Sequence, residues 1–188
     1  MAFWDEAHRR KHDIRTGDGA HTARTLAVWK RTLAFSRPDV SSYRAGVGDF
    51  RVIGTAPVVE DVTAIGGKAY HIPPTAPGEA LTLRMGNVAT DKGVLYKVRV
   101  HARVERVPGG KGEALRVRAF HGVTGDRPFD KAFEVNALND QWSWYDIGTF
   151  TPDDPYVLFV AGGRYARGGG PKTVKALYVD ALEFIPVR

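Results

Sequence analysis

The stretch Val94-Leu95-Tyr96-Lys97-Val98-Arg99-Val100-His101-Ala102-Arg103-Val104-Glu105 decides the fold. Its even positions from 94 to 104 are apolar, and its odd positions from 97 to 105 are polar or charged. Because successive side chains of a strand point to opposite faces, this alternation predicts a long strand with one buried face. The turn Pro108-Gly109-Gly110-Lys111-Gly112 follows, and the alternating Leu115, Val117 and Ala119 then predict an antiparallel partner strand.

Further strands are expected on both sides of this hairpin, separated by Gly, Pro, Asn and Asp turn signals. We place them at 50–54, 57–63, 68–72, 79–85, 130–136, 142–150, 156–161 and 174–186. Many short strands with one apolar face each predict an all-β fold, a two-sheet antiparallel β-sandwich, over residues 49–188.

The first 48 residues follow a different pattern. Residues 5–15 and 22–35 have apolar side chains at helical spacing, and residues 36–48 are predicted to form a linker. These helices are too few to form a domain alone. We therefore expect residues 1–48 to be a short N-terminal helical segment and linker, the tail of a preceding domain.

The composition excludes several functions. The 188 residues contain no cysteine, which rules out disulfides, thiolate nucleophiles and cysteine-bound zinc. The net charge of +6 is spread along the chain, which favours a solvated basic surface over a nucleic-acid site. No stretch is typical of a membrane span or a signal peptide, so we expect no membrane partner and place any export signal upstream.

Motifs for catalysis are missing from the sequence. The glycine-rich stretch 163–173 lacks the Gly-Lys-Ser/Thr ending of a phosphate-binding loop, and no Gly-x-Ser-x-Gly sequence occurs. The six histidines are scattered, and most carboxylates stand beside Gly, Pro or Asn, where they serve turns. We therefore expect no catalytic residues.

Aromatic residues carry the positive signal. Trp142 and Trp144 should lie on one face of a strand and Tyr145 on the other. The apolar face of a sugar stacks on an aromatic ring, and its hydroxyls need polar partners such as Asn, Asp, Gln or Arg. Arg164 and Tyr165 in a nearby loop add such groups. Packing of the same rings in the core is the alternative hypothesis.

Four stretches carry a family resemblance: Gly66-Gly67-Lys68-Ala69-Tyr70, Tyr96-Lys97-Val98-Arg99-Val100, the residues 141–148, and the residues 176–184. Residues 55–188 resemble the carbohydrate-binding jelly-roll domains of the galactose-binding-like superfamily, similar to carbohydrate-binding module families six and thirty-five. The resemblance implies a non-catalytic, secreted module that binds polysaccharide or oligosaccharide. It also implies an attached sugar-active enzyme of the bacterial glycoside-hydrolase kind, with this module at its C-terminal end.

The resemblance also implies two sites. A structural calcium ion would use Asp180 in the last strand and Glu60 or Asp61 in an early one, although a hydrogen-bonded strand aspartate is the alternative reading of Asp180. Sugar would stack on Trp142, with Trp144 close by. The loop residues that would complete the sugar site are Tyr165, Arg164, His121 and Asp126.

Three functions remain open from the sequence. The first is a carbohydrate-binding module, for which the arginines make an acidic polysaccharide plausible. The second is a structural accessory sandwich that packs on a catalytic domain, with both tryptophans buried. The third is a small jelly-roll polysaccharide lyase or hydrolase.

Overall fold

The computed structural model describes residues 41–76, 78–162 and 172–187, and the regular secondary structure of this part of the chain is almost entirely β-strand. Short 3₁₀ turns at Met85–Asn87 and Val135–Ala137 interrupt them. The strands in chain order are β1 (Tyr43–Ala45), β2 (Arg51–Val52), β3 (Val58–Glu60), β4 (Lys68–Ile72), β5 (Glu79–Arg84), β6 (Tyr96–Arg106), β7 (Glu113–His121), β8 (Asp130–Glu134), β9 (Ser143–Phe150), β10 (Tyr156–Gly162) and β11 (Val174–Pro186).

The strands form two antiparallel sheets. The first sheet has the order β3-β4-β11-β6-β9, with β1 also paired to β11, and the second has the order β2-β5-β10-β7-β8. The predicted all-β, two-sheet sandwich of jelly-roll type is therefore confirmed. The predicted N-terminal helices lie outside the described residues.

The alternation in β6 separates a buried face from an outer one, as predicted. Tyr96, Val98, Val100 and Val104 are fully buried, whereas the side chains at 97, 99, 103 and 105 reach the outer surface of the first sheet. Inward residues of the second sheet, including Leu115 of β7, complete the core. Burial of these side chains removes apolar surface from water and supplies the main stabilising term.

The predicted pairing of β6 with the strand that follows it is wrong. β6 pairs with β11 and β9 in the first sheet, while β7 pairs with β10 and β8 in the second. The connection 107–112 carries the chain across the sandwich, so the apolar faces of the two strands meet through the core. An alternating pattern identifies the buried face of a strand but not its hydrogen-bonded neighbour.

The sandwich also begins earlier than predicted. Tyr43–Ala45, which the sequence analysis placed in a linker, pairs with Phe184, Glu183 and Leu182 of β11. One compact unit accordingly spans Ser41–Arg188. Within the described ranges, no helix is both long and apolar enough to cross a bilayer.

Candidate functional site

The two tryptophans of β9 and its preceding loop lie on the outer face of the first sheet. Trp144 stands opposite His101 in the register of β6 and β9, and both indoles are half-buried. Tyr145 points to the other side, where its ring meets that of Phe133 from the second sheet at 5.6 Å. The predicted division of these three rings between two faces is what the structure shows.

Both indoles are interleaved with planar side chains of β6. Trp144 has the guanidinium carbon of Arg99 at 4.5 Å from its ring centre and the imidazole of His101 at 4.6 Å. Trp142 stacks on the same imidazole at 5.1 Å and has Arg103 at 5.5 Å. We call these five side chains the stacked row. Because Arg99, His101 and Arg103 are successive outward residues of one strand, each indole lies between two planar groups of that strand.

The stacked row continues onto β11 and β4. Arg103 lies 3.8 Å above the ring of Tyr178, and His71 stacks on that ring at 5.2 Å. Burial, together with a hydrogen bond to Glu105, raises the pKa of the Tyr178 hydroxyl. An open depression of about 530 Å³ lies beside these groups. Its polar lining is already paired within the protein, because Arg103 holds Asp61 and the Asp61 carboxylate accepts two bonds from Thr63.

Two carboxylates lie beneath the stacked row. Asp180 is fully buried at a bulge in β11, where it accepts hydrogen bonds from the amide of Ile65 at 2.7 Å and from Nδ1 of His101 at 2.8 Å. Burial raises the pKa of Asp180. Burial also acts to raise the pKa of Glu183, but hydrogen bonds from Arg44 and Arg99 outweigh it and hold that pKa below its usual value.

The residues proposed for calcium do not fit a calcium site as they are arranged. Both carboxylate oxygens of Asp180 are engaged by donors. Asp61 binds the guanidinium of Arg103, and Glu60 pairs with Lys68 at 3.2 Å on the surface. Calcium needs six to eight oxygen ligands converging on one point. No group of three or more His, Asp or Glu side chains within the described ranges is placed to hold a metal ion.

The remaining predicted sugar contacts lie elsewhere. His121 ends β7 in the second sheet, where its Nδ1 accepts the amide hydrogen of Thr124 at 3.0 Å. Asp126 accepts a 2.7 Å hydrogen bond from Tyr156. Burial and this bond raise the pKa of Tyr156 to about 12. The structure does not bring these turn residues to the tryptophans. Arg164 and Tyr165 lie outside the described residues.

A surface that the sequence analysis missed lies on the outer face of the second sheet. Phe120 of β7 and Phe159 of β10 are half-buried and line a depression of about 290 Å³ together with Arg118 and Arg127. Each ring has one cation near it, Arg127 at 5.8 Å from Phe120 and Arg118 at 5.4 Å from Phe159. The sequence could have indicated this surface, because Phe120 follows Arg116 and Arg118 at the alternate positions that face outward in β7.

Polar groups of β2 and β5 extend this surface. Thr82 stands opposite Phe159, and its buried hydroxyl has no hydrogen-bond partner among the described residues. Arg51 stands opposite Thr82, and Arg84 stands opposite Val157. Since directly paired residues project from the same face, both arginines lie on the same outer face as the phenylalanines. We call Phe120, Phe159, Thr82 and the arginines 51, 84, 118 and 127 the second-sheet face.

Comparisons with known proteins place the fold. No protein-family model matches the sequence, and no match was found among curated proteins. The chain is similar to the Podospora anserina GH26-CBM35 β-(1,4)-mannanase, with 12% identity and a TM-score of 0.50 over 80% of this chain and 28% of that one. It is also similar to the CBM22-1 xylan-binding domain from Paenibacillus barcinonensis Xyn10C, with 13% identity and a TM-score of 0.45 over 80% and 96% of the two chains. The fold is thus the jelly-roll β-sandwich found in carbohydrate-binding modules.

Proposed function

We propose that residues 41–188 form a non-catalytic carbohydrate-binding module whose ligand lies on the second-sheet face. The observation that carries this proposal is the pair of half-buried rings, Phe120 and Phe159, in one depression with arginine side chains. A sugar ring offers an apolar C–H face for the phenyl groups and hydroxyls for guanidinium donors.

The stacked row supports this choice by its own geometry. Trp142 and Trp144 each lie between an imidazole and a guanidinium, so a sugar stacking on either indole would have to displace a protein group. The geometry therefore favours a packing role for both tryptophans over the platform role predicted for Trp142 and the sugar contact predicted for Trp144. Among the described residues, each phenyl ring of the second-sheet face has a single cation near it, at 5.4 Å from Phe159 and 5.8 Å from Phe120.

The biological role we propose is targeting. A module that holds polysaccharide raises the local substrate concentration for an enzyme in the same chain. The similar mannanase, as its name GH26-CBM35 indicates, joins a carbohydrate-binding module to a glycoside hydrolase. By analogy, we propose an attached sugar-active enzyme and an extracellular location, where polysaccharides are found. An acidic polysaccharide, which the sequence analysis considered as the ligand, is part of the same proposal.

Affinity electrophoresis through gels containing xylan, β-mannan or polygalacturonate tests the proposal. We expect retention by at least one polymer, and a loss of about tenfold or more in affinity for the Phe120→Ala/Phe159→Ala variant, because both stacking rings are removed. Trp142→Ala is the matched aromatic control on the first sheet and should retain affinity within about twofold. Circular dichroism establishes that each variant is folded.

Two results would contradict the proposal. Absence of retention on every neutral and acidic polymer argues against carbohydrate binding altogether. Loss of retention in Trp142→Ala with the phenylalanine variant unaffected would move the site to the stacked row, as the sequence analysis predicted.

An enzyme is the second candidate, because His101, Asp180, Arg103 and Tyr178 stand together on the first sheet. A histidine oriented by an aspartate is a common general base. His101, however, is only 7% exposed and its ring stacks on two indoles, so substrate has little access to it. An assay for unsaturated or reducing-sugar products checks this candidate, and turnover that disappears in His101→Asn would establish it.

A further inference from the structure

We propose that the ligand of the second-sheet face is a polyuronate, an acidic polysaccharide whose sugar rings carry carboxylates. This inference rests on the proposed function and names the chemical class of its ligand. Three arginines carry it: Arg51, Arg84 and Arg127.

These three arginines differ from those of the first sheet in their partners. On the first sheet Arg44 and Arg99 share Glu183, and Arg103 holds Asp61. Arg51, Arg84 and Arg127 are exposed, and none forms an ion pair within the described ranges. Arg127 lines the depression, and Arg51 and Arg84 project from the same outer face. Three guanidinium groups that form no ion pair in this part of the chain create a local positive field that attracts anions.

Their positions surround the two phenyl rings. Arg127 lies above Phe120. Phe120 pairs with Val157 of β10, and Val157 pairs on its other side with Arg84 of β5. Arg51 stands at the β2 edge, in the same cross-strand row as Thr82 and Phe159. A sugar stacked on either ring would therefore have a guanidinium group at its rim.

Arg118 of the second-sheet face and its neighbour Arg116 are both paired with carboxylates of the same sheet. Glu79 binds Arg118, and Asp130 binds Arg116 at 2.7 Å and 2.9 Å. Hydrogen bonds from Arg116, together with the nearby charges of Arg118 and Arg127, lower the pKa of Asp130. This carboxylate therefore stays ionised at neutral pH. These ion pairs keep the middle of the face close to neutral and leave the positive charge at its border.

The positive field of the second-sheet face comes in addition to the net charge of +6 on the whole protein. Guanidinium groups pair with carboxylates through two parallel hydrogen bonds, which suits the carboxylate of a uronate ring.

A matched pair of polymers tests the inference. Polygalacturonate and its fully methyl-esterified form share one backbone and differ in the carboxyl group, which is charged in the first and a neutral methyl ester in the second. We expect the wild type to bind polygalacturonate about tenfold or more tightly at low salt, with the preference falling as salt is raised. The variant Arg51→Gln/Arg84→Gln/Arg127→Gln should lose that preference. The control Lys92→Gln/Lys111→Gln/Lys175→Gln removes the same charge elsewhere and should keep it.

The outcomes separate this inference from the proposed function. Equal binding of the acidic and esterified polymers overturns the polyuronate inference and leaves carbohydrate binding intact, whereas no binding to any polymer overturns the proposed function. Equal loss of preference in the lysine control shows that net charge is responsible and also overturns the inference. Tighter binding of a twenty-nucleotide poly(dT) than of polygalacturonate also overturns the inference, because aromatic rings and arginines on a sheet also bind single-stranded nucleic acid.

Discussion

The two outer faces of this sandwich carry similar residue types in opposite states. On the first sheet the aromatic rings stack on one another and on arginines, and each arginine of the stacked row has a carboxylate partner. On the second sheet two phenyl rings line a depression and three arginines have no ion-pair partner within the described ranges. The comparison teaches that the number of aromatic residues does not by itself locate a binding surface, because the groups stacked on each ring also matter.

The interleaving of the stacked row explains what the first face does instead. Each contact between a guanidinium and an aromatic ring contributes about 0.5–1 kcal/mol at exposed sites and more when desolvated. The buried pair of His101 and Asp180 joins β6 to β11, and the bond from Ile65 joins the loop after β3 to the same carboxylate. The first face is therefore interpreted as a stabilising surface, and the second as the ligand surface.

Removal of the carboxylate beneath the stacked row should have the largest effect. Asp180→Ala leaves the buried Nδ1 of His101 and the amide of Ile65 without their acceptor. We expect a loss of about 2–4 kcal/mol in the free energy of unfolding, measured by urea denaturation, because unpaired buried polar groups are costly. Binding by the folded fraction should be unchanged, because the second-sheet face does not contact this residue.

Asp146→Ala provides the matched control for that experiment. Asp146 also lies on the first sheet and pairs with Lys97 at 2.7 Å, but both side chains are largely exposed. An exposed pair contributes at most about 1 kcal/mol, so this variant should be nearly as stable as the wild type. Equal losses for the two variants would show that the buried pair has no special role and would break the contrast between the two faces.

The sequence predicted the positions of the strands far better than the pairing between them. The period-two pattern around residues 94–105 identified β6 and its buried side, because burial acts directly on side-chain chemistry. Sheet order depends on contacts between segments distant in the chain, so the transfer of β7 to the other sheet was not predicted.

The same limit explains the site residues. Trp142 and Trp144 were correctly placed on one face, but the coverage of their rings depends on the register between β6 and β9. Phe120 and Phe159 are single aromatic residues on different strands, and only the pairing of β7 with β10 brings them together. Asp180 was weighed as either a calcium ligand or a hydrogen-bonded strand residue, and the bulge in β11 directs it to Ile65 and His101.

A smaller effect is expected from the pH dependence of the first face. The hydrogen bonds from Arg44 and Arg99 keep the pKa of Glu183 below its usual value, despite the opposing effect of burial. A carboxyl with a lowered pKa stabilises the fold above its unfolded pKa, about 4.3, and this contribution is lost as pH falls through the folded pKa. Glu183→Gln should therefore lose about 1–2 kcal/mol at pH 7, and the difference from wild type should shrink towards about pH 3.

Urea denaturation at a series of pH values measures this difference, with Glu60→Gln as the control. Glu60 pairs with Lys68 at the surface, where both side chains are mostly exposed. Its replacement should change the unfolding free energy little at any pH. A gap between Glu183→Gln and wild type that stays constant down to low pH would show that the charge of Glu183 does not stabilise the first face.

The smallest effect is expected from calcium. The oxygens of Asp180 accept donors, Asp61 already binds a guanidinium, and Glu60 holds a lysine, so the predicted ligands offer the ion no common point. A bound ion at one hundred times its dissociation constant would add about 2.7 kcal/mol, or a rise of roughly 5–10 °C in Tm for a domain of this size. We expect Tm in millimolar calcium and in excess EDTA to agree within about 1 °C. A rise of several degrees that persists in Asp61→Asn would place calcium at residues other than Asp61. A rise abolished by that substitution would show instead that Arg103 leaves Asp61 to the metal, and that the first face is less completely paired than its contacts indicate.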